Sequence, residues 1–129
     1  MFYEHHSLVR KIDWQWENFS PAEIACRHCG AIRISPDFLD RLQGMRNDLG
    51  PIAISCCYRC PVHNARVGGA PGSMHLMGKA ADVQLGRHDR IDLARAARRN
   101  SMIGLGYYVG FLHVDTGRPR WWGNKELWT

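Results

Sequence analysis

The stretch SMHLMGKAADV, residues 73–83, places a carboxylate inside a run of small and apolar residues. Its second half continues as AADVQL, residues 80–85, which has the apolar character of a buried strand. An aspartate is costly to bury there unless an opposite charge compensates it. Asp82 and His75, seven residues apart, are therefore candidate ligands of a metal ion.

A third candidate ligand is His113, in the segment FLHVD at residues 111–115. A histidine in the middle of an apolar run has no evident packing role, and strand alternation places Asp115 on the same face. Catalytic zinc takes three protein ligands and keeps one position open for water. From the residues alone three alternatives stay open: His75 as a loop histidine, Asp82 as a strand-edge carboxylate and His113 as a hydrogen-bonded core histidine.

The segments around this stretch predict an α+β fold. Helices are predicted at SPAE (20–23, a capping box), SPDFLDRLQGMRNDLG (35–50) and HDRIDLARAARRN (88–100). Strands are predicted at PIAISCCY (51–58), at AADVQL, and as a pair turning near Gly110 within GLGYYVGFLHVDTG (104–117). We expect a mainly antiparallel sheet with flanking helices, in a single domain over residues 1–129. The tryptophans of the tail RWWGNKELW (120–128) either close the core or stack on sugars.

The net charge of +5 comes from scattered arginines, with the densest group in RAARRN at residues 95–100. This charge suits a polyanion such as an acidic cell-wall polymer. Basic and aromatic residues are not interleaved along one element, so no nucleic-acid partner is expected. No run approaches the roughly 18 apolar residues of a membrane span, and MFYEHHSLVRK lacks the apolar core of a signal peptide. We expect synthesis in the cytoplasm without a signal peptide, and no stable membrane association.

The five cysteines include two C-x-x-C pairs, Cys26 with Cys29 and Cys57 with Cys60. Structural zinc, disulfides and free thiols are the alternatives. A four-cysteine zinc site needs the two pairs to meet, and the 27 residues between them exceed the usual zinc-ribbon gap. Strand alternation predicts that Cys56 and Cys57 face opposite sides.

Two longer segments carry a resemblance to a known family: CCYRCPVHNARVGGAPGSMHLMGKAADV (56–83) and GLGYYVGFLHVDTGRPRWW (104–122). Their S-x-H-x-x-G-x-A-x-D and H-V-D motifs resemble the zinc peptidases of the D-Ala-D-Ala carboxypeptidase type. The similarity extends from about Phe19 to Trp122, and within the family it is greatest to small murein peptidases of the phage-endolysin kind. It implies the hedgehog/DD-peptidase fold and a bound Zn²⁺ ion.

The resemblance also assigns roles to single residues. It implies zinc binding by His75, Asp82 and His113, a position for Ser73 at the edge of the substrate cleft, and a substrate contact for Arg59. A guanidinium suits that contact because it is permanently charged and bidentate.

This sequence departs from the family at the position of the general base. Many relatives carry an acidic residue three positions before the last histidine ligand, and Gly110 occupies that position here. Asp115 is the predicted catalytic residue, either as the base or as the residue that orients His113. His63 is the alternative donor to the transition state.

The function implied is that of a zinc-dependent peptidoglycan peptidase, which hydrolyses an amide bond in murein stem peptides or cross-links. We expect a monomeric phage or prophage lysis enzyme that acts on the cell wall or periplasm after release by a holin-type partner. Whether it is a carboxypeptidase or an endopeptidase does not follow from the sequence. The alternatives are a non-catalytic zinc-binding module of the same fold and a zinc-dependent nucleic-acid-binding protein.

Overall fold

Strands and helices are interleaved as far as the fourth α-helix, and three consecutive strands follow it, in a computed structural model that describes residues 1–128. The strands are β1 (Phe2–Tyr3), β2 (Ile32–Arg33), β3 (Ile54–Cys56), β4 (Ala80–Gln84), β5 (Gly104–Tyr107), β6 (Phe111–Asp115) and β7 (Arg120–Gly123). The α-helices are α1 (Pro21–Ile24), α2 (Pro36–Leu49), α3 (Pro61–Arg66) and α4 (Arg90–Arg99). Short 3₁₀ turns cover His6–Leu8, Lys11–Asp13, Met74–Met77 and Lys125–Trp128.

The strands form two sheets. The small sheet is the antiparallel pair of β1 and β2. The large sheet has the order β3-β4-β6-β5-β7, and only the pairing of β5 with β7 is parallel within the described residues. The predicted α+β fold with a mainly antiparallel sheet is therefore confirmed.

Helix starts follow the local chemistry that the sequence predicts. Ser20 and Glu23 form a reciprocal capping box at α1, which satisfies two backbone N–H groups that the helix cannot pair itself. At α2 the Ser35 side chain makes no cap hydrogen bond, and Pro36 at the first position sets the backbone instead. Gly50 ends α2 with a φ of +81°, a conformation that glycine adopts without strain.

The core lies between one face of the large sheet and helices α2 and α4. The helices contribute the buried residues Phe38, Leu39, Leu42, Met45, Leu93, Ala94 and Ala97. The sheet contributes Ala81, Val83, Leu105, Tyr107, Leu112 and Val114. Trp128 packs into the same core, as one of the two readings of the tryptophan tail predicts, whereas Trp121 is exposed. Within residues 1–128 no helix has the length and apolarity needed to cross a membrane.

The opposite face of the large sheet carries polar and very small residues, and we call it the site face. Because residues paired across strands share a face, the register sorts them into two rows. The first row is Cys56, Asp82, His113, Gly106 and Trp122. The second row is Ala80, Asp115, Gly104 and Arg120. The alternation that buries the core therefore also gathers the candidate ligands.

Candidate active site

His75 projects toward the site face from the 3₁₀ turn Met74–Met77. Its backbone N–H donates to the Ser73 hydroxyl at 3.3 Å, which holds the start of the turn. Its Nδ1 lies 2.7 Å from the carbonyl oxygen of Cys57, so Nδ1 carries the proton and donates it there. This bond leaves Nε2 as the ring atom of His75 that could bind a metal ion.

Asp82 lies between the two histidines. Its Oδ1 is 3.3 Å from Nε2 of His75 and 3.2 Å from Nδ1 of His113. A tetrahedral zinc ion with bonds of about 2.0–2.2 Å separates neighbouring ligand atoms by about 3.3–3.5 Å. The donor types and these two spacings are those of zinc ligands, whereas the donors that lie within 4.8 Å of one another are Cys56, His75 and Asp82, without His113.

Asp115 fixes the far side of the His113 ring. Its Oδ2 lies 2.7 Å from Nε2 of His113, which leaves Nδ1 turned toward Asp82. Arg120 donates to both oxygens of Asp115, at 2.9 Å and 2.7 Å, and the Gly117 amide donates to Oδ1 at 3.0 Å. Burial opposes ionisation of Asp115, but these hydrogen bonds, with that of His113 first, hold the pKa of Asp115 below its ordinary value.

The electrostatics of the site favour a positive charge beside Asp82. Burial disfavours protonation of His75, but hydrogen bonds with Asp82 and Cys56 outweigh it and raise the pKa of His75 to about 9. Burial likewise opposes ionisation of Asp82, and hydrogen bonds from His113 and His75 reverse the effect, so the pKa of Asp82 lies well below its ordinary value. A partly buried carboxylate between two imidazoles is thus arranged to pair with a cation, either protons or a metal ion.

Cys56 adds a fourth donor that the sequence did not predict. It pairs with Asp82 across β3 and β4, and its Sγ lies 3.6 Å from Nδ1 of His75. One donor atom each from Cys56, His75 and Asp82 falls within 4.8 Å of the others. The thiol is therefore close enough to contact an ion held by the histidines.

A cleft of about 750 Å³ opens beside His113. Its lining includes the predicted substrate residues Arg59 and Ser73, together with Tyr108, Arg118, Arg120 and Trp122. The Arg59 amide donates to the carbonyl of His75 at 3.1 Å, while its side-chain Nε is buried and has no hydrogen-bond partner within the described chain. Arg59 therefore lines the cleft while its Nε atom is shielded from solvent.

The structure brings most of the predicted site residues together. His75, Asp82, His113 and Asp115 form one connected cluster, and Arg59 and Ser73 lie in the adjoining cleft. Arg120 and Trp122 were not predicted as site residues, since their relation to His113 and Asp115 depends on the parallel pairing of β7.

The cysteines divide in a way that the C-x-x-C spacing did not predict. All five are free thiols. Cys57 turns into the main core, where burial raises the pKa of its thiol, and Cys56 faces the opposite side as alternation predicts. Cys60 instead meets Cys26 and Cys29 in a separate cluster.

Curated proteins with similar sequences carry zinc and peptidoglycan names. The zinc D-Ala-D-Ala carboxypeptidase of Streptomyces albus G is 37% identical over 89 residues, 64% of this chain and 35% of that protein. The probable peptidoglycan L,D-endopeptidase MepK of Haemophilus influenzae is 31% identical over 101 residues, 70% of this chain and 54% of that protein. MepK of Escherichia coli K12 is 32% identical over 93 residues, 67% of this chain and 51% of that protein. The alignments thus span about a third to about half of these relatives.

The family model described as Peptidase M15 matches residues 17–115, a segment that includes all three candidate zinc ligands and Asp115. The geometry of the cluster and this match agree, and the chain belongs to the peptidase M15 family.

Proposed function

We propose that this chain is a zinc-dependent peptidase that hydrolyses an amide bond in the peptide stems of peptidoglycan. The observation that carries the proposal is the position of Asp82 Oδ1, 3.3 Å from Nε2 of His75 and 3.2 Å from Nδ1 of His113, beside a cleft that His113 and arginines line. Peptidoglycan as the substrate is supported by the names of the relatives and by the fit of cationic side chains to stem-peptide carboxylates.

In this proposal His75, Asp82 and His113 hold the zinc ion. Zinc bound there supplies Lewis acidity, which lowers the pKa of a coordinated water and polarises a carbonyl group. The carbonyl of Cys57 and the carboxylate of Asp115 keep the two imidazoles in the tautomers that binding requires.

Arg59 is proposed to bind a carboxylate or peptide carbonyl of the substrate. Its guanidinium lines the cleft, and its backbone is tied to the carbonyl of His75, so the substrate contact and a zinc ligand are held in fixed relation. Ser73 lies at the same edge and offers a hydroxyl to a peptide group.

Of the two roles open to Asp115, we propose the orienting role. Its oxygens already accept hydrogen bonds from Arg120, Gly117 and His113, and its side chain is completely buried. A carboxylate so engaged is a poor acceptor for a proton from water but a firm support for the His113 ring.

One observation favours the non-catalytic alternative. Within residues 1–128 no aspartate or glutamate is among the side chains that line the cleft, and Gly110 lies exposed at the turn between β5 and β6. A zinc-binding module without hydrolytic activity would have this composition. Direct assay separates the two functions.

The test is digestion of purified peptidoglycan sacculi, followed by mass spectrometry of the muropeptides. We expect cleavage with zinc, its loss with a chelator, and its loss in His113→Ala. The matched control is His88→Ala, because the His88 ring contacts the Pro51 carbonyl and is not part of the cluster. The masses of the products identify the bond that is cut. Intact muropeptides from a zinc-loaded, folded protein would favour the binding module instead.

We also propose the role in phage or prophage lysis that the sequence resemblance implies. Its test is expression in cells with and without a pore-forming partner of the holin type. Lysis only when the pore is present supports the role, and survival in both cases contradicts it.

A further inference from the structure

A second cluster of metal-binding side chains lies apart from the candidate active site. The sulfur atoms of Cys26, Cys29 and Cys60 lie within 4.8 Å of one another. Cys26 and Cys60 are buried, whereas Cys29 is exposed. The three thiols come from two segments, the C-x-x-C turn that follows α1 and the residue that precedes α3.

The backbone of the turn is folded so that its thiols converge. The Cys26 carbonyl accepts a hydrogen bond from the Gly30 amide at 2.9 Å, and the Cys26 amide donates to the Ala31 carbonyl at 2.8 Å. Gly30 has a φ of +77°, which lets the chain reverse directly after Cys29. A C-x-x-C segment closed in this way presents both sulfurs to one side.

Backbone amides are directed at the sulfurs. The Cys60 amide donates to Sγ of Cys26 at 3.4 Å, and the His63 amide donates to Sγ of Cys60 at 3.3 Å. Such bonds stabilise sulfur in its negatively charged form, the form that binds metals. The first of them also joins the two segments directly.

From this geometry we propose that Cys26, Cys29 and Cys60 bind a second zinc ion with a structural role. Three thiolates without a carboxylate suit a borderline-soft ion rather than magnesium or calcium, and structural zinc sites commonly combine three cysteines with one histidine. The rings of His28 and His63 stack with centroids 5.7 Å apart. His28 lies within the C-x-x-C segment and His63 three residues after Cys60, but neither is among the donors that lie within 4.8 Å of one another, so either ring would have to move to become the fourth ligand.

The number of thiols also separates a metal site from a disulfide. One disulfide among Cys26, Cys29 and Cys60 would leave the third thiol unpaired, whereas one zinc ion uses all three. The sequence-based objection to structural zinc was the long gap between the pairs; the fold answers it, because it brings Cys60 within 4.8 Å of Cys26 and Cys29 despite that separation, while Cys57 lies in the main core.

The proposed ion would restrain Arg59, a residue that lines the cleft. Arg59 directly precedes Cys60, and its amide donates to the carbonyl of His75. Fixing Cys60 to the turn at 26–30 therefore restrains the segment that carries Arg59. This inference does not depend on hydrolytic activity, since a zinc-binding module would hold the second ion equally well.

The experiment measures metal content of the full chain, purified under reducing conditions, by inductively coupled plasma mass spectrometry. We expect two zinc ions per chain, one at each proposed site, and one in either Cys29→Ser or His113→Ala. His88→Ala is the matched control, because it removes a metal-binding side chain that contacts the Pro51 carbonyl outside both clusters and should keep both ions. The double variant His113→Ala/Cys56→Ser removes two donors of the candidate active site. When this protein is loaded with cobalt, a thiolate-to-metal charge-transfer band should persist. Adding Cys29→Ser to the double variant should abolish the band.

The wild-type measurement alone decides the proposal if a variant fails to fold. A single zinc ion per wild-type chain would overturn it. So would an intact mass lower by two hydrogen atoms under non-reducing conditions, with a thiol count showing that two of the three cysteines form a disulfide. Release of one of two ions when a mercurial reagent titrates the thiols would support it.

Discussion

Asp115 is the residue on which the arrangement of the site depends most directly. It is completely buried, it accepts hydrogen bonds from Arg120 and from the Gly117 amide, and it holds Nε2 of His113. The effect of Asp115 on a metal ion is therefore transmitted through the orientation of one imidazole ring.

Substitution of Asp115 distinguishes a role in orienting the His113 ring from a role in proton transfer. We expect Asp115→Ala to lower zinc affinity by about 10–100-fold, because the His113 ring loses its support, and excess zinc to restore most hydrolysis. Competition with a chromophoric chelator measures the affinity, and muropeptide release measures the activity. If zinc binds normally while hydrolysis falls by about 10²–10⁴-fold, Asp115 acts as the general base instead.

Arg120 should contribute stability that depends on pH. Arg120→Ala removes two charge-assisted hydrogen bonds to Asp115, and we expect a loss of roughly 1.5–3 kcal/mol near neutral pH in metal-free protein. The pKa of Asp115 is lower in the folded state than in the unfolded state, so this stabilisation is present above about pH 3.9 and is lost as the pH falls. Urea denaturation across this range tests both points.

The control for Arg120 is Arg118→Ala, an exposed arginine that lines the same cleft. It should change stability little at any pH. A difference between wild type and Arg120→Ala that stays constant down to low pH would contradict the proposed coupling to Asp115.

Local sequence patterns predicted the helices and strands that have strong capping or hydrophobic signals. The Ser-Pro starts and apolar repeats predicted α1 and α2, and apolar runs predicted β4, β5 and β6. β1 and β2 have two residues each, too few for any periodicity, and were not predicted. β7 was not predicted as a strand because its parallel pairing with β5 is fixed by tertiary contacts rather than by its own residues.

Gly104 and Gly106 of β5 are required because side chains from other strands lie directly against them on the site face. A Cβ built on Gly104 would collide with the Asp115 carboxylate and the Arg120 guanidinium, and one built on Gly106 would lie 2.6 Å from the Trp122 ring. Both positions therefore need a residue without a Cβ atom, so that Arg120 can contact Asp115 and the Trp122 ring can keep its place. The glycines are visible in the sequence, but the requirement for them comes from the register of β5 with β6 and β7, which the sequence does not show.

Gly104→Ala should disturb the site through packing alone. We expect a destabilisation of about 1–3 kcal/mol, as for other overpacked positions, together with weaker zinc binding because Asp115 is displaced. Thermal denaturation and zinc competition measure the two effects. Gly110→Ala is the matched control, since a Cβ there meets no atom within 4 Å, and it should behave like wild type.

For the whole molecule, the family resemblance implied the three ligands as a set, and in the structure Oδ1 of Asp82 lies 3.3 Å from Nε2 of His75 and 3.2 Å from Nδ1 of His113. Two contributions could not be predicted. The thiol of Cys56 reaches the site through its pairing with Asp82, and Cys60 meets Cys26 across 34 positions of sequence. Both depend on contacts between distant segments, which no local pattern encodes.

Metal removal should destabilise the folded chain as a whole. A ligand present at 100 times its Kd contributes roughly 2.7 kcal/mol to the free energy of unfolding, so a chelator should lower the melting temperature and zinc should restore it. Magnesium should not restore it, since it prefers six oxygen ligands. Equal melting temperatures with and without chelator, when metal analysis shows complete removal, would contradict zinc binding by the folded state.

The register of the central strands also determines when the zinc site comes into existence during folding. Asp82 and His113 face each other across β4 and β6 although 31 positions of sequence separate them. Ligands so far apart do not meet in an unfolded chain, because closing that loop costs entropy before any contact offsets it. Zinc at His75, Asp82 and His113 is therefore expected to bind after β4 and β6 have paired, unlike the ion of a zinc finger, which binds as its short loop folds. We expect newly made chains to gain this ion only once their central strands are in register.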